Sequence, residues 1–389
     1  MSDRAMGPSG RSGVEPFHAM TFLAEANRLK AAGADVLSLA VGQPASPAPR
    51  AARDAASAMI ERGSVGYTDA MGRVDLREAL ADHYRLAHGV SVDPARVMVT
   101  SGASGGFNIA FLAAFDAGDK IAIAAPGYPA YRNIMRALGI IPVEIEVGPK
   151  DDYILTRDHL DARHAIEPFQ GVLIASPANP TGTMTPPDEM KRIADFCRET
   201  GVWLISDEIY HRLSFGQDER SALQDLDAAI VVNSFSKYYC MTGWRIGWMI
   251  LPPGLTDAAE RLGQNLYISA SDLSQTAALA ALGAGEELDR VRESYRRNRL
   301  TMMERLPEIG FRAIAPIDGA FYAYARIPEG FSSATAFAKA LLKESHVAVT
   351  PGTDFDLRRG DSFVRLSYAG AESDIVRALD RIAAFVAKA

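Results

Sequence analysis

Residues 171–212 read GVLIASPANPTGTMTPPDEMKRIADFCRETGVWLISDEIYHR, and this stretch decides the fold. It contains two continuous apolar runs, residues 171–175 and 202–206, with a charged segment of helical spacing at 187–200 between them. Continuous apolar strands separated by a helix are typical of a parallel sheet that is covered on both faces. Ligands of such sheets bind beyond the carboxyl ends of the strands. The polar residues that follow the apolar runs are therefore candidates for function.

The same alternation extends on both sides of this stretch. Strands are predicted at residues 96–100, 120–125, 141–147, 171–175, 202–206, 230–232 and 247–251, and helices at 20–32, 74–88, 104–114 and 187–200. Long helical patterns then cover 256–283 and 286–306, followed by strands at 311–315, 320–327, 347–350 and 363–367 and helices at 334–344 and 372–387. The sequence predicts an α/β fold, with a mostly parallel sheet of the seven-stranded type between helices, and a smaller α+β domain.

The length of the chain also predicts two domains. It has 389 residues, and a single hydrophobic core stops growing at about 250–300 residues. We assign residues 46–285 to a large domain and residues 14–45 together with 286–389 to a small one. Residues 1–13 are polar and rich in Gly and Ser, and we expect them to be disordered.

Composition excludes several classes of partner. The formal net charge of -7 does not suit a nucleic-acid surface, which needs a basic footprint. Two cysteines make no disulfide framework, and no Cys/His spacing is typical of a metal site. No apolar stretch approaches the ~20 residues that cross a bilayer, and the N-terminus lacks the apolar core of a signal peptide. We expect a cytoplasmic protein without a membrane, nucleic-acid or metal partner.

Residues 234–247, which read SFSKYYCMTGWRIG, are the strongest chemical signal. Lys237 follows an apolar strand, with Ser234 and Ser236 before it and Arg245 eight residues after it. A lysine amine forms imines with aldehydes, and a partly buried one loses its proton more easily. The serines and the arginine could hold a phosphate. A solvated lysine at a strand end is the alternative for any single lysine.

Five more motifs stand near predicted strand ends: TSGASGG at 100–106, PGYPAY at 126–131, SPANPTG at 176–182, SDEIY at 206–210 and FVRLSYA at 363–369. Each has an ordinary structural explanation when it is taken alone. Asp207 could cap a helix, Asn179 could make an Asn-Pro turn, Tyr128 and Tyr210 could be packing residues, and Arg365 could form an internal salt bridge.

Taken in order, the six motifs resemble those of the class I/II aminotransferases, the pyridoxal-phosphate enzymes of fold type I, and the resemblance covers residues 36–369. It implies that Lys237 carries pyridoxal 5'-phosphate (PLP) as a Schiff base and that Asp207 keeps the pyridine nitrogen protonated. It also implies that Tyr210 and Asn179 contact the phenolic oxygen of the ring, and that Tyr128 stacks on the ring.

The resemblance assigns the remaining candidates as well. The phosphate contacts would be Gly102, Ala103, Ser104, Ser234, Ser236 and Arg245. The substrate carboxylate would lie against Arg365, Asn179 and Gly42. Residues 65–68, which read VGYT, resemble the segment whose tyrosine reaches the phosphate of the neighbouring subunit. This implies a homodimer in which Tyr67 completes the partner's site.

The implied reaction is transfer of an amino group from an L-amino acid to a 2-oxo acid by a ping-pong mechanism. The implied catalytic residues are Asp207, Tyr210 and Lys237, and the freed amine of Lys237 serves as general base. A C–S β-lyase or a related PLP enzyme would carry the same motifs. A PLP-binding transcriptional regulator is disfavoured, because only about 35 residues precede the first family segment and the charge is acidic.

Leu112 stands near the position where aspartate-specific relatives carry a lysine, and Arg212 is not placed for that role. We expect a neutral or aromatic donor, with 2-oxoglutarate as acceptor.

Overall fold

The computed structural model describes residues 7–388, and its α/β architecture confirms the predicted fold class. The twelve α-helices in this range are α1 His18–Ala31, α2 Arg50–Arg62, α3 Val74–His88, α4 Gly102–Ala114, α5 Pro129–Leu138, α6 Arg157–Ile166, α7 Pro187–Thr200, α8 Thr256–Leu266, α9 Asp272–Leu282, α10 Gly285–Ile309, α11 Ala334–Ser345 and α12 Glu372–Val386. The twelve strands of the same range are β1 Leu37–Ser38, β2 Val97–Thr100, β3 Lys120–Ala125, β4 Ile141–Glu146, β5 Gly171–Ala175, β6 Trp203–Asp207, β7 Ile230–Ser234, β8 Gly247–Ile250, β9 Tyr322–Arg326, β10 Val347–Ala348, β11 Thr350–Pro351 and β12 Phe363–Ser367.

Seven strands form the central sheet, in the order β2-β8-β7-β6-β5-β3-β4. All neighbours are parallel except β8, which runs antiparallel to both β2 and β7. The strands β2, β5, β6, β7 and β8 are buried along nearly their whole length, because helices such as α4 and α7 cover the sheet. This burial explains why the strands appear in the sequence as unbroken apolar runs.

A smaller α+β unit follows the sheet along the chain. It contains the antiparallel sheet β11-β12-β9 and the short parallel pair β1-β10. The helix α1 contacts β10 and β11, and α10 and α12 pack together. The N-terminal segment thus joins elements near the C-terminus, as expected for residues 20–32. The residue bounds proposed for the two domains stay a prediction.

Three local expectations are wrong. The pattern at residues 256–283 is two helices rather than one, because Ile268 takes a left-handed conformation (φ 68°) and Ser271 caps α9 at the amide of Ser274. Residues 311–315 make only a single bridge, between Arg312 and Arg326. Residues 347–350 divide between two sheets, because Val347–Ala348 pair with β1 and Thr350–Pro351 pair with β12.

The expected disorder of residues 1–13 falls partly outside the described residues. Within them, Gly10–Ser12 form one exposed turn of 3₁₀-helix. The helices α2, α5 and α6 were not predicted from the sequence. No helix of residues 7–388 combines the length and the apolar character needed to cross a bilayer.

Candidate active site

The site lies at one edge of the central sheet. The strands β5, β6 and β7 are mutually parallel, and β2 has the same direction because β8 is antiparallel to both β2 and β7. Their carboxyl ends therefore meet at one edge. Asp207 is the last residue of β6 and Ser234 the last of β7, while α4 begins two residues after β2. The amino end of β8 reaches the same edge, and it brings Arg245 with it.

A cavity of about 240 Å³ opens at this edge and gathers most of the predicted site residues. Its lining includes Gly42, Ala103, Ser104, Tyr128, Asn179, Asp207, Tyr210, Ser236, Lys237, Arg245 and Arg365. Gly102 and Ser234 lie just behind this lining, both buried. Tyr67 is not brought to the cavity by its own chain, and its side chain is 83% exposed.

Lys237 projects into the cavity from the loop after β7. Its Nζ donates a hydrogen bond to the carbonyl oxygen of Gly42 at 2.7 Å. Burial, assisted by the positive charges of Arg365 and Arg245, lowers the pKa of Lys237 from 10.5 to about 8. A buried ammonium loses hydration and is repelled by like charges, so the amine gives up its proton near neutral pH. A neutral amine is the form that acts as nucleophile and base.

Asp207 is almost completely buried at the floor of the cavity, 3% exposed. Its carboxylate accepts a short hydrogen bond from the hydroxyl of Tyr131 and one of 3.1 Å from the amide of Ile209. Burial raises the pKa of Asp207 to about 6, although both hydrogen bonds favour the charged form. No Lys or Arg of the described residues forms an ion pair with this carboxylate at 4 Å or less. A cationic ligand would supply the missing partner.

Arg365 is buried in β12 and points into the cavity, 3% exposed. Its guanidinium donates to Oδ1 of Asn179 at 2.9 Å and to the carbonyl oxygen of Ala40 at 2.6 Å. The rings of Tyr322 and Phe355 lie 4.4 and 4.8 Å from its Cζ. A guanidinium has five N–H donors, and Nε has no partner among the described residues. Arg365 is thus held rigidly with donors left for a carboxylate.

Tyr210 and Tyr322 form a hydroxyl pair inside the cavity. Their two oxygens lie 2.8 Å apart, and burial raises the pKa of both phenols. Both therefore stay protonated at neutral pH. Since only one hydroxyl of the pair can donate to the other, the second proton is free for an oxygen of a ligand.

The remaining polar groups surround the start of α4. Gly102 has φ 74°, a left-handed conformation that favours glycine, and a Cβ at this position would lie 2.5 Å from Nη2 of Arg245. The Ser234 hydroxyl lies 2.8 Å from that of Ser236. Amides at a helix start, two hydroxyls and a guanidinium make a suitable environment for a phosphate group.

Several lining residues were not predicted from the sequence. Tyr131 belongs to the PGYPAY motif, but the family resemblance assigns it no role. Tyr322 lies in the segment YAYAR, which resembles an ordinary apolar strand. Apolar side chains from distant segments complete the wall of the cavity: Phe17, Met20, Val41, Phe107 and Ile209. Tyr128 precedes α5 and Tyr131 lies in its first turn, and their ring centroids are 5.3 Å apart. The presence of Tyr131 in the same short motif was the available signal.

The site has the composition of a known family. Residues 34–382 match the family Aminotransferase class I and II. The chain is 46% identical over 381 residues to valine–pyruvate aminotransferase of Mycobacterium tuberculosis, which covers 97% of each chain. The crystal structure of an aminotransferase from Mycobacterium tuberculosis superposes with a TM-score of 0.96 at 44% identity, covering 99% of this chain and 100% of that one.

A more distant structure shares the same fold. Aspartate aminotransferase from Thermus thermophilus with maleate gives a TM-score of 0.91 at 31% identity and covers 98% of this chain and 100% of that one. Matches of this extent cover both the central sheet and the smaller unit. The chain therefore belongs to the class I and II aminotransferases, a family that uses pyridoxal phosphate, and it is an aminotransferase.

Proposed function

We propose that this chain binds PLP in the cavity at the sheet edge and transfers amino groups from neutral L-amino acids to 2-oxo acids by a ping-pong mechanism. One observation carries the proposal: the amine of Lys237, with its lowered pKa, shares one cavity with a buried carboxylate and a buried guanidinium. This arrangement combines a nucleophilic amine, a partner for a pyridinium and a clamp for a carboxylate.

The side chains fit the cofactor at both of its ends. At the phosphate end, Gly102 leaves room beside Arg245 that any Cβ would fill, and Ser104 and Ser236 line the cavity. At the ring end, Asp207 is a buried carboxylate without an ion-pair partner among the described residues. Bound PLP would supply a protonated ring that accepts electrons from the substrate carbon that loses its proton. Tyr128 lies at the cavity wall, where we place it against the ring face.

Arg365 binds the α-carboxylate of the substrate in this proposal. The hydrogen bonds to Asn179 and Ala40 hold its guanidinium in place before substrate arrives. Such preorganisation reduces the entropy lost on binding. Gly42 closes the same wall, since its carbonyl accepts from Lys237 and its missing side chain leaves room for the Tyr322 hydroxyl. The carboxylate is therefore fixed close to the lysine amine.

Lys237 then moves the proton. Its Nζ, with its lowered pKa, would take the proton from the α-carbon of the substrate and then, as the general acid, deliver it to the cofactor carbon that receives the amino group. Asp207 keeps its negative charge beside the ring nitrogen, and the hydroxyl of Tyr210 donates to the phenolic oxygen. The proton stays within the cavity because Tyr210, Tyr322 and Asn179 are buried around it.

The wall of the cavity supports a neutral donor. Its basic residues in the described chain are Lys237, Arg245 and Arg365, and all three already have roles. The substrate side chain would meet Phe17, Met20 and Val41 instead. A second carboxylate placed there would be desolvated without a cation. The relative named valine–pyruvate aminotransferase supports the same choice, and the cavity favours a monocarboxylic acceptor such as pyruvate over the expected 2-oxoglutarate.

A homodimer is part of the proposal. Val65, Tyr67, Leu266 and Ile268 are exposed by 55, 83, 55 and 46%. Their segments lie side by side, because the amide of Thr68 donates to the Ser269 hydroxyl. Contiguous exposed apolar side chains mark interaction surfaces. We place the partner subunit on this patch, with Tyr67 reaching its phosphate site.

A cytoplasmic setting also stays a proposal. Cys197 and Cys240 are both buried and unpaired, and burial raises the pKa of the Cys240 thiol to about 11. Buried thiols of raised pKa are chemically inert. The cysteines thus behave as apolar packing residues, which is compatible with a reducing compartment.

The decisive experiment combines one substitution with a substrate screen. Lys237→Ala should abolish turnover and the visible absorbance of lysine-bound PLP, while Lys150→Ala, at an exposed position, should change neither. Wild-type protein should convert valine, alanine and phenylalanine faster than aspartate, with pyruvate as acceptor at least as good as 2-oxoglutarate. Release of ammonia and pyruvate from cystathionine without formation of pyridoxamine phosphate would favour the β-lyase instead. Full activity of Lys237→Ala would refute the proposal.

A further inference from the structure

A second cluster of functional side chains lies outside the active-site cavity. It joins His88, the last residue of α3, to Glu208 and His211 in the loop after β6. One nitrogen of each histidine and one carboxylate oxygen all lie within 4.8 Å of one another. His88 is far from the other two residues in the sequence, so no spacing motif connects them.

Glu208 is the residue of this cluster that needs a partner. Its carboxylate is 1% exposed. Oε1 accepts from the hydroxyls of Ser221 at 2.8 Å and Ser206 at 3.3 Å and from the Ala222 amide at 3.1 Å. Oε2 accepts from the Tyr84 hydroxyl at 3.0 Å. These donors are all neutral, and no Lys or Arg of the described residues is paired with Glu208. A buried negative charge in this state calls for a cation.

The position of His211 indicates what that cation is. The ring is 6% exposed, and its Nδ1 makes no hydrogen bond within the described residues. Nδ1 lies 3.6 Å from Oε2 of Glu208, which is too long for a hydrogen bond. Two ligand atoms at ~2.0–2.1 Å from a tetrahedral zinc ion are about 3.4 Å apart. The gap therefore suits a shared ion better than a shared proton.

We propose that His88, Glu208 and His211 bind a divalent transition-metal ion, with zinc as the best fit. Two imidazole nitrogens and one carboxylate oxygen are ligands that zinc and its neighbours accept, whereas magnesium and calcium prefer oxygen ligands alone. His88 also lines a groove whose charged residues are of both signs, among them Asp218, Glu219, Asp289 and Arg292. This groove gives the ion a route from solvent on the side of His88.

The ion would act on the loop rather than on the substrate. Glu208 follows Asp207 directly, and His211 follows Tyr210 directly. A bound ion would therefore tie the end of β6, which carries Asp207, and the following loop, which carries Tyr210, to the end of α3. Metal binding itself does not depend on the proposed reaction.

The test uses untagged, PLP-loaded protein that has been dialysed against EDTA and then against metal-free buffer. Added Co²⁺, a spectroscopic substitute for Zn²⁺, should bind one ion per chain and give visible absorption bands. Zn²⁺ at a hundredfold excess over its Kd should raise Tm by about 3 °C. His88→Gln should weaken binding at least about tenfold, since it removes one of three ligands.

The matched control is His83→Gln. The His83 ring is a neighbour of the His88 ring, with 6.2 Å between the two centroids. His83 is not among the proposed ligands. This variant should bind Co²⁺ as the wild type does. The assignment would be overturned if both variants lost Co²⁺ affinity equally, or if His88→Gln bound Co²⁺ as the wild type does. Saturation with Co²⁺ without any visible absorption band would also overturn it. If His88→Gln does not fold, His211→Gln tests the same ligand set. A Zn²⁺-soaked crystal should also show an anomalous-scattering peak between the three side chains, and the absence of that peak refutes the site.

Discussion

At the scale of single residues, the active site consists of charges held in unfavourable surroundings. The pKa of Lys237 is lowered and that of Asp207 is raised, and burial is the first cause of both shifts. Each group would be more stable in water or with an opposite charge beside it. Such local conflict is expected at a site that is built to bind a charged ligand.

Replacing Lys237 by Met should stabilise the cofactor-free protein. The folded state holds this lysine at a pKa of about 8, against its ordinary value of 10.5, so folding must discharge or desolvate an ammonium. The penalty is complete below pH 8, shrinks as the pH rises from 8 to 10.5, and is absent above 10.5. We expect a gain of roughly 2 kcal/mol at about pH 7 that becomes smaller at about pH 9.5.

Urea unfolding of the cofactor-free variant and wild type at both pH values measures this difference. Lys150→Met is the control, because its side chain is exposed and the substitution should not change the free energy of unfolding. A Lys237→Met protein that is less stable than wild type at neutral pH would contradict the burial argument.

Asp207→Asn should separate cofactor binding from folding. The amide keeps the shape of the side chain and can still accept from Tyr131, but it carries no charge for a pyridinium. We expect turnover to fall about 100-fold or more, the scale of losing one electrostatic partner in a buried site, with PLP affinity reduced and Tm of the cofactor-free protein unchanged or higher. Asp188→Asn, at an exposed position of α7, serves as control. Wild-type kcat for Asp207→Asn would refute the role.

At the scale of elements, the segment between β1 and α2 organises the site. The carbonyl of Ala40 holds Arg365 of β12, and the carbonyl of Gly42 holds Lys237 of the loop after β7. The segment is anchored because β1 pairs with β10. One short stretch of backbone thus sets the distance between the carboxylate clamp and the amine.

Gly42→Ala should damage this arrangement. A Cβ at this position would lie 1.7 Å from the hydroxyl oxygen of Tyr322, so either the tyrosine or the segment must move. Overpacking of this kind typically costs about 1–3 kcal/mol, and we expect KM for the amino donor to rise about tenfold as the clamp shifts. Gly254→Ala is the control, since nothing lies within 4 Å of its added Cβ. Steady-state kinetics and thermal unfolding of both variants decide the point.

At the scale of the whole molecule, the proposed homodimer would link assembly to activity through the exposed patch around Tyr67. The cavity of one chain gathers most of the predicted PLP contacts, but not Tyr67. In a dimer with twofold symmetry, each patch would meet its own counterpart, and each Tyr67 would reach the other site. A protomer on its own would then lack one phosphate contact.

Mixing two variants that are each impaired at a different residue of the shared site should therefore restore part of the activity. Lys237→Ala and Tyr67→Ala should each be impaired as homodimers. After subunit exchange in equal amounts, half of the dimers are mixed, and one of their two sites has both Lys237 and the partner's Tyr67. We expect about one quarter of wild-type activity, measured at low PLP concentration after gel filtration shows dimers. If the mixture is no more active than the sum of its parts, Tyr67 acts within its own chain or not at all.

Much of the fold could be predicted from local signals. The helix at residues 74–88 ends at Gly89, which has φ 68°, and α7 matches its predicted bounds. The break between α8 and α9 was missed because residues 267–271 keep a helical pattern without proline. The helices α2 and α6 were missed because they have few large apolar side chains: α2 buries Ala52, Ala56 and Met59, and α6 buries only Leu160.

The sequence by itself determined the family, the α/β fold class with most of its strands and helices, and the residue types of the proposed chemistry, because these follow from local patterns and from motifs of fixed spacing. Only the tertiary structure decided which distant side chains share a space. It brought Arg365 to Asn179 and Ala40, Tyr131 to Asp207, and His88 to Glu208 and His211. Burial and charge depend on neighbours from the whole chain, so the pKa shifts of Lys237 and Asp207 exist only in the folded molecule.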